Sequence, residues 1–217
     1  MKDYATRRRI MVDTQIRPAD VTRFPVLEAM LSVEREAYLP DDRREMAYID
    51  GNIDLGGGRV VLEPRTFAKM LQALGIGPDE TVLDIGCAFG YSSAVIERLA
   101  DVVVAVEEDA EMAAEAQSTL STYGADSAAV VEGALAGGAT RHGPYDVMVI
   151  EGGVEQVPEA LTAQLKDGGR IAALFMEGAV GAVSVGYLNS GHVTWRHAFN
   201  ASAPVLPGFA KEVGFSL

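Results

Sequence analysis

The chain has one cysteine, one tryptophan and three histidines among 217 residues. With Cys87 alone, neither an intrachain disulfide nor a cysteine-rich zinc site can form, which fits a reducing compartment. His142, His192 and His197 are too scattered for a metal constellation, so no metal is expected. Basic residues are scarce as well: 18 Lys and Arg stand against 31 Asp and Glu, a formal charge of −13. That balance provides no basic face for phosphate backbones or anionic lipid beyond the short run Arg7-Arg8-Arg9, so neither nucleic acid nor membrane is an expected partner. No stretch approaches eighteen uninterrupted apolar residues, and the opening MKDYATRRRIMVDTQ lacks an apolar segment of signal-peptide length. The expectation is a soluble cytoplasmic protein.

What is present is a regular α/β alternation. An apolar fraction of 48% over this length predicts one compact unit rather than two domains. Residues 1–50 read as a helical prelude over Tyr4–Gln15, Arg23–Leu31 with Thr22 as N-cap, and Asp41–Ala47 after Pro40. Gly51–Gly58 is the most glycine-dense loop, and Pro64 opens a helix stopped by Gly75 and Gly77. Apolar runs at Val82–Ile85, Val102–Val106, Ala128–Val131, Val147–Ile150 and Ile171–Phe175 predict buried strands. Helical stretches at Tyr91–Leu99, Ala110–Tyr123 and Pro158–Leu165 alternate with them, which predicts a mostly parallel sheet with crossover helices. The tail differs: Val183–Leu188, Val193–Phe199 and Val213–Leu217 read as short strands forming an antiparallel edge. Residues 1–63 read as a helical and glycine-loop segment and 64–217 as the α/β unit, the two forming one compact body.

The segment VLDIGCAFGYSS, Val82 to Ser93, is the first strand-to-helix turn of that alternation, the usual ligand position in an open parallel sheet. A dinucleotide fingerprint would want glycines at Gly86, Ala88 and Tyr91, and the last two disfavour a nicotinamide oxidoreductase. The turn offers Asp84, then Gly86 and Gly90 bracketing Cys87-Ala88-Phe89. A carboxylate beside a tight glycine turn suits a ligand with cationic groups, such as the amino group and sulfonium of S-adenosylmethionine. Glu107 closes the second apolar run, where a carboxylate can accept both ribose hydroxyls. The plainer reading is that Asp84 and the glycines serve the turn alone. Cys87 reads as a small apolar filler, since no histidine is near it in sequence.

From about Met11 to about Leu174 the chain resembles the protein-L-isoaspartate O-methyltransferase family, class I methyltransferases that repair damaged aspartyl residues. MVDTQIRP, VLEAMLSVEREAYLP and AYIDGNIDLGGG are similar to that family's N-terminal pattern, and VLDIGCAFGYSSAVI to its first cofactor motif. VVAVEEDAEMAAEAQSTL resembles the ribose-binding strand and its helix, and PYDVMVIEGGVEQVPEALTAQLKDGGRIAAL the elements that close the site. The resemblance implies a Rossmann-like methyltransferase fold, S-adenosylmethionine as cofactor, and a protein or peptide carboxylate, or a small acceptor, as partner. It implies cofactor contacts from Asp84, Gly86, Cys87, Ala88, Gly90, Tyr91 and Ser92 on the turn, Glu107 and Glu108 beyond the second strand, and Gly133, Ala134 and Glu151 later.

Three departures stand out. Where the family has hydroxyls that aim the acceptor, in Gly-Gln-Thr-Ile-Ser-Gln-Pro, this chain reads Gly58-Arg59-Val60-Val61-Leu62-Glu63-Pro64. Val60 and Leu62 then read as packing residues, and Arg59 and Arg65 either as solvated arginines or as bidentate grips on a substrate carboxylate. Ala134 stands where the family's aspartate binds adenine, and Glu151 where it has a small residue. Little methylation of isoaspartyl peptides is therefore expected, with a catalytically weak cofactor-binding protein that acts through a partner as the alternative.

Overall fold

The computed structural model describes residues 3–211, so the strand expected at Val213–Leu217 lies outside it. A seven-stranded sheet runs through the molecule: β3 (Thr81–Ile85), β4 (Val102–Glu107), β5 (Ala128–Glu132), β6 (Tyr145–Val154), β7 (Leu165–Glu177), β8 (Val180–Asn189) and β9 (His192–Asn200). Its order is β5-β4-β3-β6-β7-β8-β9, parallel from β5 to β7 and antiparallel across β7, β8 and β9. The chain winds outward from β3 through β4 to β5, then returns to the other side of β3 as β6. That reversal opens a crevice beyond the carboxyl ends of β3 and β6, the position at which such sheets bind ligands. The parallel strands, the antiparallel edge and the flanking helices agree with the expected methyltransferase architecture.

Both faces of the central strands are covered, so their sequences read as continuous apolar runs. Val82, Val103, Val147 and Ala172 point to one side, into a core shared with Met11, Ile16, Met30, Phe67 and Val95. Leu83, Val104, Met148 and Ile171 point to the other, against Leu135, Leu161, Leu206 and Phe209. The first core joins the N-terminal segment to the sheet: α1 (Tyr4–Met11) and α2 (Phe24–Ser32) pack with α3 (Pro64–Leu74) and α4 (Tyr91–Glu97). The run Arg7-Arg8-Arg9 is correspondingly not a free basic patch, because Arg7 bonds Glu45 and buried Arg8 bonds Tyr48 and Glu36.

Helix ends follow local chemistry where the cap is local. Asp109 accepts from the Glu111 and Met112 amides to start α5 (Ala110–Thr122), and Gly75, at φ +63°, ends α3. Thr22 does not cap α2. Gln72 Oε1, from α3, accepts from the Thr22 and Arg23 amides just ahead of the helix, a tertiary contact with no local signal. Asp41–Ala47 contains turns and one 3₁₀ turn at Arg44–Met46 rather than an α-helix, and Pro158–Leu165 shortens to α6 (Glu159–Thr162). The glycine loop forms a hairpin, β1 (Ile53–Gly56) against β2 (Arg59–Val61), because Gly56, Gly57 and Gly58 all take positive φ at its turn. This hairpin carries Arg59 to the sheet's crevice.

The tail crosses the end of β6 at residues 203–206. Gly153 donates to the Pro204 carbonyl at 2.8 Å and accepts from the Leu206 amide at 2.9 Å. A Cβ at Gly153 would lie 2.7 Å from the Ala203 carbonyl oxygen and 2.8 Å from that of Pro204. Backbone cannot yield as a side-chain end can, so Gly153→Ala is expected to cost about 1–3 kcal/mol, the range of overpacked cores. Gly51→Ala, with open space around its Cβ position, should stay within about 0.5 kcal/mol of the parent. Urea unfolding midpoints compare the two, and equal midpoints would refute the packing of the tail on Gly153.

Candidate functional site

The turn after β3 is built around buried acids. Asp84 is fully buried, and its Oδ2 accepts from the Ser92 and Ser93 hydroxyls, both at 2.6 Å, in the first turn of α4. Its Oδ1 has no partner. Burial pushes the Asp84 carboxyl up to about 6, against the lowering effect of the two serine bonds. Gly86 takes φ +83° and donates to the Val106 carbonyl, and Ala88, at φ +49°, turns its amide toward Glu107. Gly90, at φ +91°, brings α4 against α5, where a Cβ would meet Leu120 at 3.2 Å.

Glu107, at the end of β4, has no exposed surface. Its Oε1 accepts from Arg59 Nη1 at 2.5 Å and from the Glu108 and Asp109 amides at 3.0 and 3.1 Å. Its Oε2 accepts from Arg59 Nη2 at 2.6 Å and from the Ala88 amide at 2.8 Å. The guanidinium thus grips the carboxylate through two parallel bonds, the strong bidentate geometry. Burial disfavours the charge on Arg59, but the bonds to Glu107 outweigh it and raise the arginine's pKa. A Cβ at Gly86 would sit 3.3 Å from Arg59 Nη2 and 3.4 Å from Leu206. Arg59 and Leu206 therefore lie directly over the glycine turn.

A second buried acid sits beside it. Glu151, at the far end of β6, is buried with Oε1 unpartnered; burial, reinforced by Asp84, pushes its carboxyl well above the usual range, with Arg35 opposing. Arg35 is 1% exposed, donates to the Ala47 and Leu62 carbonyls at 2.7 and 2.8 Å, and lies 4.5 Å from the Tyr91 ring centroid. The space between these groups is a cavity of about 10 Å³, lined by Arg35, Val60, Leu62, Gly86, Tyr91 and Glu151 among others. It is room for about one water. Sequence reasoning missed Arg35, which gives no signal of burial inside VEREAYLP.

Among the expected site residues, the fold gathers Asp84, Gly86, Ala88, Ser92, Glu107, Glu151, Val60, Leu62 and Arg59 in the crevice. Arg65 is outside it, exposed and paired with Glu63 at 2.9 Å, and Arg59 has both Nη atoms on Glu107. Tyr91 lines the inner cavity with its ring under Arg35, while its hydroxyl reaches Met30 Sδ in the core and Tyr38 and Phe67 pack beside it. Cys87 is buried, and burial, then Asp84 and Glu107, push its thiol well above the ordinary value. Glu108 is exposed on the outer rim, the Gly133 amide donates to the Glu107 carbonyl, and Ala134 is exposed at the start of a 3₁₀ turn. All three histidines are exposed, and no group of three or more potential metal ligands occurs among the described residues.

The framework fits a cofactor with a nucleoside and a cationic amino acid end: a buried acid, Glu107, at the end of β4, a glycine turn at positive φ, and buried Asp84 with an unsatisfied oxygen. Both Glu107 oxygens are held by the Arg59 guanidinium, and 10 Å³ is far below the roughly 300–1,000 Å³ of small-molecule sites.

Glu151 carries a pH signature. A carboxyl whose folded pKa is raised costs stability once the pH exceeds its unfolded pKa, and that cost grows until the folded pKa is passed. Glu151→Gln is therefore expected to stabilise the protein more at pH 8 than at pH 5, read as the difference in urea midpoint. A midpoint difference that is flat across that range, or larger at pH 5, contradicts the burial of an unpaired carboxyl at this position.

Comparison with known proteins is consistent from sequence to fold. The family model for protein-L-isoaspartate(D-aspartate) O-methyltransferase matches residues 7–177. Protein-L-isoaspartate O-methyltransferase 2 of Pelobacter propionicus is 35% identical over 171 residues, 79% of this chain and 76% of that protein. The Methanoregula boonei protein-L-isoaspartate O-methyltransferase is 35% identical over 164 residues, 76% of each chain. A solved protein-L-isoaspartate O-methyltransferase superposes with a TM-score of 0.81 at 22% identity, over 93% of this chain and 66% of its own. A Plasmodium falciparum structure of the same description, in complex with S-adenosyl-L-homocysteine, gives 0.78 at 15% identity over 95% of this chain and 99% of its own. These matches span both the N-terminal segment and the sheet: the chain belongs to the protein-L-isoaspartate(D-aspartate) O-methyltransferase family.

Proposed function

We propose that this chain is an S-adenosylmethionine-dependent methyltransferase acting on a protein or peptide carboxylate, with little turnover on isoaspartyl peptides. The observation that carries the reading is the crevice at the ends of β3, β4 and β6. There Asp84, the Gly86–Gly90 turn and Glu107 come together where this reading puts the cofactor, while Val60 and Leu62, 5% and 1% exposed, stand where it puts the acceptor and bring no hydroxyl. The Plasmodium falciparum relative, solved with S-adenosyl-L-homocysteine, supports the cofactor.

When bound, S-adenosylmethionine supplies an activated methyl on a sulfonium that a carboxylate can attack in line. A carboxylate is already nucleophilic at neutral pH, so no general base is required and the protein contributes alignment and desolvation. Glu107 is the ribose acceptor in this reading, and Asp84 holds negative charge toward the cationic end. Val60 and Leu62 exclude water from the acceptor side but donate no hydrogen bond. The hold of Arg59 on Glu107 favours a second reading, a catalytically weak cofactor-binding protein that acts through a partner. Among the described residues no helix is long and apolar enough to cross a membrane.

Loss of one aiming hydrogen bond in a desolvated site costs roughly 10²–10³ in rate by analogy with oxyanion-hole deletions, and two hydroxyls are absent here. Transfer of labelled methyl from S-adenosylmethionine to an isoaspartyl peptide is therefore expected to run at least a hundredfold slower than in an authentic repair enzyme. The double variant Val60→Thr, Leu62→Ser should recover part of that rate. Wild-type turnover within tenfold of the authentic enzyme would overturn the acceptor assignment. Cofactor binding without turnover on any peptide carboxylate would select the second reading.

A further inference from the structure

We propose that Arg59 is a latch on the cofactor site: its guanidinium occupies the ribose position on Glu107, and cofactor binding requires it to swing outward toward Glu108. The proposal rests on the cofactor reading above.

Three independent features support it. The first is the geometry of the pair. Every strong acceptor direction of Glu107 is used, by Arg59 on both oxygens and by the amides of Ala88, Glu108 and Asp109. A ribose diol needs the same two oxygens, so guanidinium and diol exclude one another. The second is room. The inner cavity holds about 10 Å³, and Arg59 Nη2 lies 3.3 Å from where a Cβ on Gly86 would be, so a nucleoside cannot pass over the glycine turn while Arg59 stays. The third is a place to go. On the outer side of Arg59 lies an open cleft of about 430 Å³, lined by Leu55, Gly56, Gly57, Glu108, Asp109 and Met112. Glu108 there is exposed and already attracts the Arg59 charge, so a carboxylate waits outside for a guanidinium displaced from within.

The latch is attached to a compliant element. Arg59 opens β2, a strand of three residues, directly after Gly56, Gly57 and Gly58, which are exposed and at positive φ. Inside, Arg59 leaves Nε buried without a partner, so the closed position is incompletely satisfied. A ligand that must displace a competing group binds with an apparent affinity reduced by the fraction of open protein. Arg59 thereby sets cofactor affinity without being a ligand of the cofactor.

The test uses the full chain at pH 8. Calorimetric titration of S-adenosylhomocysteine and S-adenosylmethionine into wild type and Arg59→Gln is expected to give at least tenfold tighter binding in the variant, which keeps a hydrogen-bond donor but loses the charge. In wild type, phenylglyoxal modification of Arg59, followed by peptide mass spectrometry, should rise at least threefold on saturation with S-adenosylhomocysteine. Exposed Arg9 should react in both states and buried Arg35 in neither. Ligands usually shield a site arginine, so exposure on binding is the distinctive outcome. Equal or weaker binding by Arg59→Gln, or shielding of Arg59 by the ligand, overturns the latch and leaves the cofactor assignment intact. Absence of binding at millimolar ligand in both proteins overturns the latch and the cofactor reading together. If the variant does not fold, the modification experiment on wild type decides alone.

Discussion

A carboxylate sealed at the end of a central strand needs compensating donors, and the way Glu107 obtains them organises the crevice. Three donors are backbone amides from the two turns that follow β3 and β4, and the other two come from Arg59 on the β1–β2 hairpin. The hairpin, the glycine turn after β3 and the end of β4 are therefore held in register by one side chain. Removing a single partner from a buried ion pair of this kind costs about 3–5 kcal/mol, because the remaining charge is left uncompensated. The pair is at once a structural tie and an obstacle to any ligand that needs the same oxygens.

Asp84 and Glu151 show the opposite solution. Each keeps one buried oxygen without a partner, and burial raises both carboxyls toward the neutral form. Arg35 sits among them yet spends two of its nitrogens on the Ala47 and Leu62 carbonyls and its face on the Tyr91 ring. It therefore braces the N-terminal segment against the sheet more than it neutralises the acids. Unsatisfied buried polar atoms are rare in folded proteins and mark places where a ligand or water belongs. Their concentration on the inner side of the glycine turn distinguishes the crevice from the other turns of the sheet.

The open groove beside Arg65 is separate from this chemistry. Asn52, Glu63, Asn200 and Ser202 line it on the outer side of the β7–β8 turn. Arg65 bonds Glu63 there and not the crevice, although it lies only six positions after Arg59. The divergence is a consequence of Pro64: α3 begins at that residue, so the chain turns out of the β-region hairpin and carries the next side chain to the surface.

The alternation of apolar runs and helical stretches determined the parallel sheet, the crossover helices and the antiparallel edge, because a strand buried on both faces can hardly be anything but apolar throughout. The local chemistry of Asp84-x-Gly86 and of Glu107 likewise determined where the crevice lies, since turn and strand end are properties of contiguous residues. Contacts contributed by distant side chains, such as that of Gln72 with the Thr22 and Arg23 amides, had no local trace. The same holds for the central fact of the site. That Arg59 meets Glu107 across 48 positions of sequence, and not a substrate carboxylate or water, depends on the hairpin folding back over the sheet. Arg35 was invisible for the same reason: its burial follows from the packing of the N-terminal segment on α3 and α4. Pattern along the chain encodes which residues must be inside, but which buried charge finds which partner is decided only when segments far apart in sequence are brought together.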